Sequence, residues 1–385
     1  SVFAGAFVFG IVMSSLGSLL PALFVAIGFG KADAGRLFLV MNFAMLVGSL
    51  IFGPICDRFG FRALLVASTS LIAGAFAGLS GVSTYGMIPG LLAVLGFGGG
   101  ALNGATNALI NDIRPERRGS ALNLLGIFFG FGALFTPFFI GSLLEKAGLR
   151  IILISLALLT LAPLVLFLSA RFPRAKHEGG FSWSACREAL QDPLLFLFGL
   201  LLFFQSGNEF TMGGWISTHL GEVLRMDSRL AAYVLAGYWA AIMLGRLAVS
   251  RLASRVTASV LVIVSALLAM VSCVGLILSE SGALAAMFVT LVGLGFATIF
   301  PTTLAQAGAA FAEYSGTAFS VIFVMALTGG MTAPWLVGRI AQVHGIGAGF
   351  WITAGSCAAI VLIQFLIRRR NPPGCQRILD SALSR

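Results

Sequence analysis

Glu209 stands in the run Gln205-Ser206-Gly207-Asn208-Glu209-Phe210-Thr211-Met212-Gly213-Gly214-Trp215, near the middle of a long apolar stretch. Of the 14 Asp and Glu residues it is the one placed at such a depth; the others fall at the ends of apolar stretches or between them. In a membrane-spanning helix a charge there costs roughly 2.5–3.5 kcal/mol, so the group persists neutralised, paired or facing a polar cavity. Exchange of a proton, or of a sodium ion, at that carboxyl is then energetically comparable with binding a solute. Gln205 lies one turn before Glu209 on the same helical face, and Asn208 aligns with Thr211 and Trp215.

Other polar residues inside apolar stretches narrow the ligand. Asn103, Asn107 and Asn111 recur every four residues and share a face, and Asn42, Asn123, Gln306, Thr302 and Thr303 add amides and hydroxyls. Amides both donate and accept, which suits a solute rich in hydroxyl groups, although they serve equally as glue between helices. Tyr238, Trp239 and Trp215, with Trp335 behind them, offer rings for the C–H face of a sugar; a tryptophan at such a position also packs or anchors at a membrane interface. No Lys or Arg falls convincingly at the centre of an apolar stretch, so a carboxylate or phosphate ligand would lack a counter-charge. Neutral polar solutes, or cations through Glu209, remain.

The elements that must position these groups are read from composition. Of 385 residues, 58% are hydrophobic and 10% charged, and mean hydropathy is +1.01, the profile of a polytopic membrane protein. An all-α fold with about twelve spans follows, near 1–27, 34–56, 62–81, 84–111, 118–144, 149–170, 193–220, 229–252, 257–279, 283–311, 315–341 and 346–367. The first is too long, and too well matched later in the chain, for a signal peptide.

The net charge of +10 is a topology signal rather than a nucleic-acid footprint. With both termini in the cytoplasm of a cell whose inner membrane holds the chain, Arg58, Arg62, Arg114, Arg117, Arg118, Arg171, Arg174, Lys176, Arg187, Arg251, Arg255, Arg368, Arg369 and Arg370 fall inside. Lys31, Arg36, Lys146, Arg150, Arg225, Arg229 and Arg339 fall outside. Cys56, Cys186, Cys273, Cys357 and Cys375 show no paired spacing, so neither a disulfide framework nor a metal site is expected. His177, His219 and His344 have no ligand-spaced or triad partners, which speaks against an enzyme; no cofactor is expected.

Compared with itself, the chain repeats at an offset of 197 without a gap. Gly10 matches Gly207, Gly48 matches Gly245, Arg58 matches Arg255, Gly96 and Gly98 match Gly293 and Gly295, and Gly132, Pro137, Gly141 and Gly148 match Gly329, Pro334, Gly338 and Gly345. The expected organisation is a six-helix bundle over 1–170, a cytoplasmic linker over 171–192, a second bundle over 193–370 and a cytoplasmic tail over 371–385. A parallel duplication of this kind places a solute site near the bilayer midplane between the repeats.

Between the second and third spans, Gly53-Pro54-Ile55-Cys56-Asp57-Arg58-Phe59-Gly60-Phe61-Arg62 resembles the G-x-x-x-D-R-x-G-R-R signature of the major facilitator superfamily, with Phe61 where a basic residue stands. The resemblance implies a cytoplasmic gate formed by Asp57, Arg58 and Arg62, in which Asp57 accepts charge-assisted hydrogen bonds from an arginine; Arg246 in the eighth span is the natural partner. Asn103 to Asn107, the stretch from Pro115 to Asn123, Phe129-Gly130-Phe131-Gly132 with Pro137, and Asn208-Glu209 with Gly213-Gly214-Trp215 look like the fucose, glucose and hexose permease group and its sodium-dependent glucose-transporter-like relatives. Members of that group carry carboxylates in the first and fourth spans. Here the first span has none and Asn103 occupies the fourth-span position, so Glu209 is the coupling candidate that remains.

The expected function is a monomeric secondary transporter importing a sugar or other neutral polar solute with protons, sodium being the other candidate ion. Its substrate and coupling set is Glu209, Asn208, Gln205, Trp215, Asn103, Asn107, Asn123, Tyr238, Trp239, Gln306 and Asn42. A proton-driven exporter of drugs or of hydrophobic or cationic metabolites is the alternative; the helix-five Gly-Pro signature of such exporters is only partial here, since Gly132 and Pro137 are separated.

Overall fold

Gly60 and Gly148 decide how often the chain crosses the bilayer. The computed structural model of the protein describes residues 2–113, 118–170, 172, 192–252, 256–311 and 315–370; within these, the side chains of 57, 111–113, 118–123, 249–252 and 315–317 lie outside the description. Among the described residues are ten continuous α-helical runs. Two are too long for one crossing: Lys31–Leu79 has 49 residues and Arg118–Ser169 has 52. At about 1.5 Å per residue each would exceed twice the roughly 30 Å hydrocarbon core. Each contains one glycine in a left-handed conformation, Gly60 (φ 80°) and Gly148 (φ 75°), which breaks the helix into two spans.

Twelve spans result. Among the described residues they are α1 Val2–Ile27, α2 31–59, α3 61–79, α4 Ile88–Ile113, α5 118–147, α6 149–169, α7 Pro193–Val223, α8 Ser228–Leu252, α9 Ala258–Ile277, α10 Gly282–Ala310, α11 Ser315–His344 and α12 Ile346–Arg370. Local chemistry starts two of them cleanly. Asp192 Oδ1 accepts from the Leu194 amide at 2.7 Å, with Pro193 in the first helical position of α7. Asp227 Oδ1 accepts from the amides of Arg229 (2.9 Å) and Leu230 (3.3 Å) at the start of α8.

The 197-residue offset reappears in backbone and packing. Gly28 (φ 75°) and Arg225 (φ 52°) turn the chain after α1 and α7, and Gly148 and Gly345 (φ 83°) do so after α5 and α11. Glycine contacts follow: a Cβ on Gly48 of α2 would strike the Phe97 carbonyl of α4, and one on Gly245 of α8 would approach the Leu294 carbonyl of α10. Leu294 is the counterpart of Phe97. Likewise Gly10 of α1 lies against Gly132 of α5, and Gly207 of α7 against Gly329 of α11. Small residues let the backbones approach where lipid supplies no hydrophobic drive for helix association. Outward-facing positions are apolar, among them Leu158, Val165, Val271 and Leu362.

By contacts the chain falls into two compact units. One comprises Ser1–Glu178 with Gly213–Trp239; the other comprises Gly179–Met212 with Ala240–Arg385. The end of α7 and the start of α8 thus pack with the first six helices, so the division passes within α7 and α8 and not only through the linker expected at 171–192, most of which lies outside the described residues.

Candidate functional site

In the second unit α7 presents Gln205, Asn208 and Glu209, whose i, i+3, i+4 spacing forms one face. All three are buried. Gln205 Nε2 donates to the Phe296 carbonyl of α10 at 3.3 Å, and its Oε1 has no hydrogen-bond partner among the described residues. Asn208 Nδ2 donates to Cys357 Sγ of α12 at 3.5 Å. Glu209 Oε1 accepts from Arg246 Nη2 of α8 at 3.2 Å, with side-chain exposures of 12% for Glu209 and 32% for Arg246.

That ion pair corrects the expectation that no basic side chain reaches the apolar centre. Arg246 lies in the later part of α8, but helical side chains lean toward the N-terminus, and an arginine is long enough to carry its guanidinium about one turn back. Arg246, expected at the gate, has Glu209 as its described charge partner, and the side chain of its expected partner Asp57 lies outside the described residues. Low dielectric makes such a pair sensitive to change. Removing one member strands the other, at a cost of about 3–5 kcal/mol when both are fully buried.

The other expected gate arginines act locally. Arg58 is exposed with its guanidinium 5.3 Å from the centre of the Phe59 ring, and Arg62 Nη2 donates to the Ala170 carbonyl at 2.7 Å, tying α3 to the end of α6.

In the first unit Asn107 Nδ2 donates to both the carbonyl and the Oδ1 of Asn103, each at 2.9 Å, so two of the three asparagines on that α4 face interlock. Asn42 is fully buried; its Nδ2 donates to the Phe38 carbonyl at 2.9 Å, and its Oδ1 has no partner among the described residues. The Asn123 side chain lies outside the described residues.

The aromatic residues form no open platform. Trp215 and Tyr238 are 0% exposed and Trp239 is 4% exposed. Trp215 packs on Phe38 with ring centres 5.7 Å apart; Trp239 meets Tyr238 at 5.3 Å and Phe129 edge-on at 6.3 Å. The reason lies in Gly213 and Gly214, which clear space for neighbouring rings. A Cβ at Gly213 would come within 2.8 Å of Trp239, and one at Gly214 within 2.6 Å of Phe38. The motif read as a solute face is, in this conformation, a packing device. The Trp239 Nε1–H, buried, has no acceptor among the described residues.

Gln306 belongs to a three-helix lock. Gln364 Nε2 of α12 donates to Gln306 Oε1 of α10 at 3.0 Å and to Ser259 Oγ of α9 at 3.1 Å. Gln364 was missed in the sequence because a single amide near the end of a span has no periodic partner. Also missed were the contacts of the end of α7 with α2 and of the first part of α8 with α5, because each joins residues far apart in the chain.

A family model for the Major Facilitator Superfamily matches residues 2–327. The chain belongs to the Major Facilitator Superfamily. Among curated relatives, an uncharacterized transporter, y4wD, from Sinorhizobium fredii is 23% identical over 376 residues, covering 94% of this chain and 96% of that protein. The 4-hydroxybenzoate transporter PcaK of Pseudomonas aeruginosa is 31% identical over 183 residues, 45% of this chain and 40% of the relative. Among solved structures, a D-xylose-proton symporter superposes with a TM-score of 0.80 at 15% identity, covering 96% of each chain. Membership of this superfamily makes the protein a multi-pass membrane transporter, not an enzyme. It also explains the twelve spans, with Gly60 at the break between α2 and α3 inside the matched region.

Proposed function

We propose that this superfamily member is a secondary transporter that carries a small neutral polar solute of the sugar class inward with protons, by alternating access between the two sequence repeats, 1–170 and 193–370. The observation that carries the reading is the ion pair between Glu209, in the middle of α7, and Arg246, in the later part of α8. A proton on Glu209 removes its charge, weakens the pair and frees the guanidinium, so protonation and rearrangement of α7 against α8 become one event. Within the first unit, Asn42 Oδ1, an acceptor, and Trp239 Nε1–H, a donor, are buried without a hydrogen-bond partner among the described residues, which supports a hydroxyl-bearing solute. A fold shared with a D-xylose-proton symporter agrees with this reading. The protein acts as a monomer in the inner membrane, with the linker 171–192 and the tail 371–385 in the cytoplasm, and Asp57 with Arg58 and Arg62 on the cytoplasmic side.

Arg246 also favours a second reading. A guanidinium inside the bundle supplies the counter-charge that an organic acid needs, and one curated relative is named for 4-hydroxybenzoate transport. The same cation weighs against a lipophilic cation as cargo. The test is uptake by proteoliposomes under an imposed proton gradient, with hexoses, pentoses, nucleosides and 4-hydroxybenzoate as solutes. Accumulation of a neutral solute that is lost in Glu209→Gln, while exchange without a gradient persists, supports the first reading. Accumulation of the aromatic acid alone, lost in Arg246→Gln, supports the second. Gradient-driven accumulation that is undiminished in Glu209→Gln contradicts the coupling role in both.

A further inference from the structure

The seam between the third and the last helix of each repeat is built differently in the two halves. In the first unit Arg62, at the start of α3, donates to the Ala170 carbonyl at the end of α6 at 2.7 Å, and Phe61 beside it is buried. At the 197-residue offset Phe61 and Arg62 become Ala258 and Ser259. In the second unit Ser259 Oγ accepts from Gln364 Nε2 at 3.1 Å, so the start of α9 is again tied to the end of α12, but from a small side chain. Where the first repeat places a phenyl ring and a guanidinium, the second has a methyl and a hydroxyl. Ala258 is half-buried, and Thr257 before it is exposed.

Positive charge surrounds that place. Arg368, Arg369 and Arg370 end α12, about one turn beyond Gln364, and all three are exposed without an ion-pair partner among the described residues. Helical side chains lean toward the N-terminus, which draws these guanidinium groups back toward the level of the first turn of α9. That turn adds the positive end of a helix: no acidic residue stands in it, and the Thr257 side chain makes no capping bond. The sequence offers little to neutralise the cluster. No acid lies between Arg246 and Thr257, and the stretch after Arg370 sets Asp380 against Arg377 and Arg385.

Below the charges the outward faces of both helices are apolar. Leu362, Phe365 and Leu366 share a face of α12 with Arg369 at i, i+3, i+4 and i+7, and Val260 and Val264 share a face of α9; these five apolar side chains are exposed. A free anion would use the arginines alone. A ligand with an anionic head and apolar tails uses the arginines and the faces beneath them.

We propose that the start of α9 and the end of α12 form a binding site for an anionic phospholipid, its phosphate held by Arg368, Arg369 and Arg370 over the first turn of α9 and its chains along the outward faces of the two helices. The head occupies the place that Phe61 and Arg62 fill in the first repeat. Neither the solute, the coupling ion nor the orientation of the chain in the membrane enters this proposal.

Native mass spectrometry of the full chain, released from detergent containing equal amounts of phosphatidylglycerol and phosphatidylcholine with identical chains, tests it. The parent protein should retain phosphatidylglycerol over phosphatidylcholine by at least about tenfold. Arg368→Gln, Arg369→Gln and Arg370→Gln together should bring that ratio to about one, while Arg368→Lys, Arg369→Lys and Arg370→Lys together should keep most of it, which shows that lost charge and not a misfolded chain is responsible. Ala258→Phe leaves every charge in place and should lower the ratio severalfold by filling the seat of the head. A ratio near one in the parent, or one that survives the loss of all three arginines, overturns the site. So does a ratio that Ala258→Phe leaves unchanged, the mark of diffuse charge attraction, and so does displacement of the lipid by equimolar inorganic phosphate, the mark of a site for the free anion.

Discussion

Replacing Arg246 by Gln removes the guanidinium that meets Glu209 at 3.2 Å and leaves the carboxylate among buried amides in α7. For a fully buried pair that loss is about 3–5 kcal/mol. Arg246 is 32% exposed, so water screens part of the interaction and about 2 kcal/mol is the expected loss of stability. Glu209→Gln, which keeps the shape and strands a cation that reaches water, should cost less, about 1 kcal/mol. In the double variant no charge remains, and the two losses should not add: a coupling of about 1–2 kcal/mol is expected from the cycle. Thermal unfolding of the four proteins in one detergent measures this. The loss in Arg246→Gln should also shrink in acid, where the carboxyl is protonated. Additive losses, or an Arg246→Gln protein as stable as the parent at neutral pH, would refute the reasoning, because the pair would then carry no energy.

Three further outcomes follow from packing. Arg225 holds φ at 52°, where its repeat counterpart is Gly28, so Arg225→Gly should raise thermal stability by up to about 1 kcal/mol, and a lowered melting temperature would contradict it. Gln364→Leu removes both amide bonds to Ser259 and Gln306 while keeping bulk; a loss of about 1–3 kcal/mol is expected, and stability equal to the parent would show that the three-helix lock is inert. Trp215→Ala leaves a cavity beside Phe38 and should cost about 3 kcal/mol even in detergent without solute, whereas a protein of unchanged stability but weakened solute binding would restore the tryptophan to the solute face.

Much of the fold was legible because it rests on patterns that repeat. Apolar runs of spanning length, broken by Gly60 and Gly148, give the twelve spans, and the glycines that match at an offset of 197 mark the same close approaches twice, as Gly48 with Phe97 and Gly245 with Leu294 do. Glu209 stood out because a buried carboxylate is costly wherever it occurs. What escaped depends on direction and distance in space. The position of Arg246 gave the depth of its Cα but not of its guanidinium, which lies nearer Glu209 through the lean of helical side chains. Gly213 and Gly214 looked like part of a polar motif, yet their missing Cβ atoms are filled by Trp239 and Phe38. The pairing of Lys31 with Glu222 joins two charges that separately read as ordinary loop residues.

Coupled movement of protons and solute is the central claim, and one recording tests it most directly. Proteoliposomes that enclose a pH-sensitive dye, with no proton gradient imposed, receive an inward gradient of each solute in turn. The prediction is that the accepted solute acidifies the interior, and that Glu209→Gln abolishes the acidification while solute still enters. Solute entry at full rate with no pH change in the parent protein would contradict proton coupling and leave Glu209 and Arg246 as a structural pair.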